Sequence, residues 1–312
     1  MPASAAAVAA SATAIPARRR ATLIGFTAVL MWASLALLTT LSGAVPPFQL
    51  LAMTFAIATA IGVAAAVARG AGPLDHLRQP WSVWALGVGG LFGYHFFYFV
   101  ALRNAPAVEA SLIAYLWPLM MVVLSAMLPG ERLRWFHLAG SVLGLAGAGL
   151  IVGGGRGLAL DGDAVPGYLA ALACALVWAG YSVGSRRFGQ VPTDAVGGFC
   201  AVTAILAVPC HLAFETTVWP EGWVQWLAVL LLGLGPVGGA FFAWDIGVKR
   251  GDIQALGAAA YSAPLLSTLV LIVAGLAPLD GVVAAACALI VAGAVLAAKE
   301  LLRRPRSAET AS

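Results

Sequence analysis

The chain has 312 residues, of which 62% are hydrophobic and only 10% charged, with a formal net charge of +4. A water-soluble domain carries about a quarter charged residues, so this composition excludes a water-exposed globule. Nucleic-acid binding is excluded as well, because no basic stripe or stacking module stands outside the apolar runs.

Residues 1–17 are rich in Ala and Ser, and the run Arg18-Arg19-Arg20 follows them. A secretory signal carries its charges first. Residues 1–20 therefore read as a disordered cytoplasmic tail whose arginines anchor the first span. A span needs about 20 mostly apolar residues. Breaks of Pro, Gly or charge divide the rest of the chain into ten such runs, at 21–42, 47–68, 82–102, 106–128, 134–154, 166–187, 194–214, 222–247, 253–276 and 279–301. Residues 303–312 form a second tail, and the connections hold no extramembrane domain. The four cysteines, Cys174, Cys200, Cys210 and Cys287, lie inside apolar runs with no Cys-x-x-Cys and no zinc spacing. They read as small core residues, and neither a metal nor a cofactor is expected.

Alternating spans place fifteen of the seventeen Lys and Arg on the side of the N-terminus, leaving Arg103 and Arg156 opposite. Basic loops stay cytoplasmic, so both termini are expected inside a bacterial-type inner membrane. A wrong span count would scramble this asymmetry.

Sliding the chain on itself by 146 residues aligns uncommon residues. Trp32-Ala33 meets Trp178-Ala179, Pro46 meets Pro192, Gly93 meets Gly239 and Phe96 meets Phe242. Tyr115 meets Tyr261, Pro118 meets Pro264 and Gly147 meets Gly293. The fold predicted is all-α and polytopic, with ten transmembrane helices arranged as two five-helix repeats, 21–155 and 166–302. An odd number of spans per copy inserts the second copy upside down. Inverted repeats of this kind underlie alternating access.

Pro118, Pro264 and Pro236 fall near mid-span and free backbone groups there, which is tolerated beside a cavity or a neighbouring helix. They are candidate hinges. At the same depth lies an aromatic set: Trp32 in span 1, Tyr94 and Tyr98 in span 3, Tyr115 and Trp117 in span 4, Trp178 and Tyr181 in span 6, and Tyr261 with Ser262 in span 9. Interfacial aromatics such as Trp81, Trp219 and Trp223 are belt residues, whereas the deep ones are candidates to line a substrate cavity. His95 is an ionisable group near midplane and a functional candidate by position. Asp245 and Lys249 are four apart and read as a helix-end ion pair. No span carries a deep unpaired carboxylate, which argues against strong proton coupling. Gly140 with Gly144, and Gly293 with Ala297, give close-packing faces on spans 5 and 10, for scaffold or subunit contacts. The oligomer expected is a monomer or weak homodimer. P-loops, zinc-protease motifs, nucleophile elbows and deep lysines are absent.

The chain resembles the drug/metabolite transporter superfamily, in its branch with two EamA domains. The resemblance covers about residues 21–302 and rests on the ten-span plan, Trp32-Ala33 with its repeat Trp178-Ala179, and the run from Ala101 to Ile113 leading into Tyr115-Leu116-Trp117-Pro118. Glu131 is similar to the acid that commonly closes span 4, while its counterpart region, Ala277-Pro278, has none. Tyr94-His95 with Tyr98, and Tyr115-x-Trp117-Pro118, look most like the aromatic amino acid exporters of that branch. The resemblance implies a secondary transporter that exports aromatic and other large neutral amino acids through a central cavity. The competing readings are an exporter of other metabolites or drugs, and a membrane-embedded enzyme using His95 as general base.

Overall fold

The computed structural model describes residues 3–70, 72, 77–154, 161–276, 278–297 and 299, with side chains from residue 16 onward. Arg156 and the 303–312 tail lie outside the described residues. Helices account for nearly all of the described chain: α1 (Ala3–Ala33), α2 (Leu35–Leu41), α3 (Pro47–Ala68), α4 (Trp81–Asn104), α5 (Ala107–Ala114), α6 (Trp117–Ser125), α7 (Trp135–Gly153), α8 (Val165–Arg187), α9 (Ala195–Phe214), α10 (Gly222–Leu234), α11 (Ala240–Arg250), α12 (Ile253–Ala260), α13 (Ser262–Val273) and α14 (Gly281–Ala297). Helix α1 starts at Ala3 and so runs through the segment expected to be a disordered tail. Its alanine-rich sequence has the highest intrinsic helix propensity.

These helices fall on the ten apolar runs of the sequence. Eight pieces are long and apolar enough to cross a membrane, a ninth is the pair α12/α13 bent by 40°, and α14 is a shorter apolar helix. Four spans are broken. Span 1 breaks at Ser34, span 4 at Tyr115-Leu116 and span 9 at Tyr261, while span 8 carries a π-helical stretch over Gly235–Gly239.

The principal helix contacts run between the halves: α7 with α14, α4 with α8, α3 with α9, and α1 with α11. Exchanging the halves maps α4/α8 onto the α1/α11 side of the bundle and leaves the other two pairs in place, as a two-fold pseudo-axis in the membrane plane requires. The pairs are antiparallel. A Cβ on Gly25, near the start of span 1, would lie 2.8 Å from Cα of Gly247, near the end of span 8. A Cβ on Gly140 of α7 would lie 2.5 Å from the Gly293 carbonyl of α14. The small-residue faces of spans 5 and 10 therefore meet each other inside one chain, where backbones approach closely.

Charges collect at the two ends of the bundle. On the face where span 1 begins, Glu131 takes Arg186 at 2.5 Å and Arg18 at 3.3 Å, and Arg18 also reaches Asp252 at 3.2 Å. Arg186 donates further to the Val248 and Gly251 carbonyls, at 3.0 and 2.9 Å. This network ties spans 1 and 6 to the turns after spans 4 and 8. Asp245 and Lys249 pair at 2.9 Å as expected, with Thr193 donating to the carboxylate at 2.7 Å. On the opposite face, Glu215 accepts from the Phe48 and Gln49 amides at 2.9 and 3.1 Å, capping span 2, and pairs with His211 at 2.9 Å.

Gly140→Val tests the close approach. It should destabilise the protein by about 1–3 kcal/mol, the usual cost of overpacking, whereas Gly89→Val, with nothing within 4 Å of its Cβ position, should not. Thermal unfolding in detergent decides; equal shifts would refute the tight α7/α14 contact.

Candidate functional site

The aromatic set converges on a layer at mid-span between the two halves. Four tryptophans form its centre. Trp32 lies 6.3 Å from Trp117, 6.0 Å from Trp178 and 5.1 Å from Trp244, and Trp117 lies 6.2 Å from Trp178 and 5.7 Å from Trp244. Most of these pairs are edge-to-face, the geometry that the ring quadrupole favours. The rings thus pack on one another and do not stand around an empty hollow, which corrects the expectation of a cavity bounded by separated rings.

Span 3 adds a second tier. Tyr94 lies 5.2 Å from Trp178 and stacks on Tyr98 at 6.1 Å, as residues four apart on one helix face can. The Tyr98 hydroxyl meets Ser111 Oγ at 3.2 Å. His95 Nδ1 sits 2.7 Å from the Leu91 carbonyl. A carbonyl only accepts, so Nδ1 is the donor in this bond. Its ring neighbours are Phe55, Tyr94, Phe99 and Phe241, which supply no carboxylate partner for base catalysis.

The helix breaks place the remaining residues. Pro118 and Pro264 sit at the start of α6 and α13, where a missing N–H costs little. Within the π-helical stretch, the Pro236 carbonyl accepts from Trp32 Nε1 at 3.0 Å. At the break of span 4, the Leu119 amide donates to the Tyr261 hydroxyl at 3.0 Å. Tyr261 is fully buried, and Ser262 turns its hydroxyl to its own Ala259 carbonyl at 2.7 Å. Both therefore complete helix breaks away from the ring layer, unlike the lining role expected of them. Tyr181 is buried beneath Trp178 at 5.2 Å and packs on Gly90.

Packing differs on the two sides of the layer. Toward the face of Arg18, seven of the eight residues of α12 are buried, and Met121, Val122 and Trp244 are fully enclosed. Toward the opposite face, α2 has no buried residue, α13 has none after Leu265, and every residue from Phe92 to Val100 is only half-buried. Tyr94, His95, Tyr98 and Tyr115 thus keep accessible surface deep in the bundle. An apolar groove of about 490 Å³ also opens sideways between span 1 and α13, lined by Leu30, Ala33, Leu37, Leu266 and Leu269.

Sequence reasoning missed Trp244, whose indole donates to Ser182 Oγ at 3.1 Å. The signal was there, because the 146-residue offset pairs Trp244 with Tyr98. It also left out Phe55 and Phe241, stacked at 5.4 Å beside His95.

A profile of the EamA-like transporter family matches residues 19–153 and again residues 165–299. The chain belongs to the EamA-like transporter family. It is 60% identical over 283 residues to a protein of Ancylobacter novellus named aromatic amino acid exporter YddG, covering 90% of this chain and 97% of that relative. Proteins of the same name from Escherichia coli and Salmonella typhimurium are 23% identical over 192 residues and 22% over 267. They cover 58% and 80% of this chain, and 63% and 87% of the relatives. A crystal structure 58% identical to this EamA-like chain superposes with a TM-score of 0.87, over 92% of this chain and 100% of the other.

Trp244→Ala should cost about 3–5 kcal/mol, as removal of a buried aromatic does. Trp219→Ala, at a ring 61% exposed, should stay within about 0.5 kcal/mol. Thermal melts of the two variants check this, and similar losses would show that Trp244 is not at the packing centre.

Proposed function

We propose that this protein is a secondary transporter that exports aromatic and other large neutral amino acids from the cytoplasm across the inner membrane, by alternating access to the ring layer. The observation that carries the reading is the layer itself: Tyr94, His95, Tyr98, Tyr115, Trp117 and Trp178 at mid-span between antiparallel halves, with Tyr94, His95, Tyr98 and Tyr115 keeping accessible surface on the more loosely packed side. Such a surface suits a small zwitterion with an apolar or aromatic side chain. Its rings offer flat contacts, and hydroxyls and half-helix ends offer polar ones. The name borne by the Ancylobacter novellus relative agrees with this substrate class.

Basic residues concentrated on the tightly packed face support a cytoplasmic setting for that face. The state described is then closed inward and accessible from outside. Pro118, Pro264 and Pro236 mark the breaks about which spans 4, 9 and 8 would re-pack. Among the described residues, the buried or half-buried carboxylates Glu131, Glu215, Asp245 and Asp252 are paired at the two ends of the bundle and not at the ring layer, and His95 has a backbone carbonyl and aromatic rings, not a carboxylate, for neighbours. Both features favour facilitated diffusion over proton coupling.

In proteoliposomes, labelled phenylalanine or tryptophan should equilibrate faster than in empty vesicles, and the rate should be indifferent to an imposed pH gradient. Trp178→Ala should slow it up to roughly ten-fold, the size of a lost ring–ring contact of about 0.5–1.5 kcal/mol. Flux equal to that of empty vesicles would refute the reading, and flux that follows the gradient would refute the uncoupled mechanism.

A further inference from the structure

The four central indoles differ in what their N–H groups do. Trp32 donates to the Pro236 carbonyl at 3.0 Å, and Trp244 donates to Ser182 Oγ at 3.1 Å. Trp117 and Trp178 are 7% and 4% exposed, yet neither indole N–H has an acceptor among the described residues. Neither nitrogen is sealed off by packing, as the orphaned hydroxyls of Ser141 and Thr203 are. Each nitrogen therefore keeps a little accessible surface within the packed ring layer. Buried indoles ordinarily find a partner, and an unmade hydrogen bond at such a site costs about 1–3 kcal/mol. Two donors without an acceptor among the described residues, on rings 6.2 Å apart and nearly perpendicular, call for an acceptor from outside the chain.

An indole N–H only donates, so its partner must be an oxygen or nitrogen lone pair. A carboxylate offers two oxygens about 2.2 Å apart, each able to accept at about 2.9 Å, and so can bridge both rings. The setting favours negative charge. Helix α6 restarts at Trp117, so the positive end of its dipole lies at the backbone of that residue. No acidic side chain among the described residues lies in ring or hydrogen-bond contact with either indole.

We propose that Trp117 and Trp178 form a carboxylate subsite, in which the two indole N–H groups receive the carboxylate of the transported solute in place of a fixed cation. This rests on the amino acid reading above and deepens it. Aromatic amines and amides, which share the ring but lack the carboxylate, are then discriminated against by the site itself. Uncharged donors also suit a transporter that must release its solute, because no buried cation is left unpaired when the site empties.

The test is equilibrium binding to the purified full-length protein in lipid nanodiscs, using phenylalanine, phenylalanine amide and 2-phenylethylamine as probes. The intact site should prefer phenylalanine by on the order of ten- to a hundred-fold, the range of two hydrogen bonds to a charged group. Trp117→Phe and Trp178→Phe should each remove about ten-fold of that preference, while 2-phenylethylamine binds the variants nearly as it binds the parent. Replacing Trp178 by 3-benzothienylalanine, which keeps the shape and loses only the N–H, should reproduce the effect. Equal weakening of all three probes would reduce the indoles to packing and overturn the proposal. So would a benzothienyl variant that keeps the full preference, since water would then be the only acceptor. Absence of binding by any probe to the unmodified protein would remove the amino acid reading, and the subsite with it.

Discussion

Hydrocarbon offers no water to a broken helix, so every backbone group freed within the membrane must be satisfied by the protein itself. Four of the ten spans are broken, and this requirement decides which side chains meet. The two long-range solutions both cross between halves. Trp32, in the first repeat, donates to the Pro236 carbonyl in the second; Tyr261, in the second repeat, accepts from the Leu119 amide in the first. The breaks therefore join the halves at mid-membrane. They also hold the ring layer in place, because Trp32 is both the partner of Pro236 and the neighbour of three other tryptophans.

Residues that the duplication makes equivalent occupy unequal environments. Tyr261 is buried and its hydroxyl is bonded, whereas its counterpart Tyr115 is half-buried and its hydroxyl makes no hydrogen bond to a described residue. The Trp32 indole has an acceptor, and that of its counterpart Trp178 has none among the described residues. Helix α12 is almost wholly buried, and its counterpart α5 buries only Ala110 and Ala114. Two copies of one sequence pattern thus display two packings, tight on the Arg18 face and loose on the other. In an alternating-access cycle the copies would exchange these packings. The network of Arg18, Glu131, Arg186 and Asp252 is what such an exchange would have to break.

Much of this was legible in the residues. Hydrophobic run lengths set the spans, and the basic residues arranged them in alternation. The recurrence of Trp, Tyr and Pro at one offset exposed the duplication and most of the ring layer. Depth along a span, however, says nothing of what a side chain bonds to. Tyr261 and Ser262 share a level with the rings but complete a helix break, because the partner amide on Leu119 comes from another span. Trp244 escaped notice because it lies closer to a span end than the others. Only the π-helical bulge and the packing of span 8 against span 1 bring it inward. The helical course of residues 3–20 and the side-by-side fit of the rings likewise depend on local propensity and ring electrostatics, which span-scale patterns do not report.

The central claim is that the ring layer is sealed toward the Arg18 face and reachable from the other. Single cysteines placed in a background without the four native ones, and probed with a membrane-impermeant maleimide in right-side-out vesicles, measure this directly. Ser111→Cys, beside Tyr98 on the loose side, should react from outside, and Val122→Cys, fully enclosed on the tight side, should not. Reaction at Val122→Cys with protection at Ser111→Cys would contradict the account.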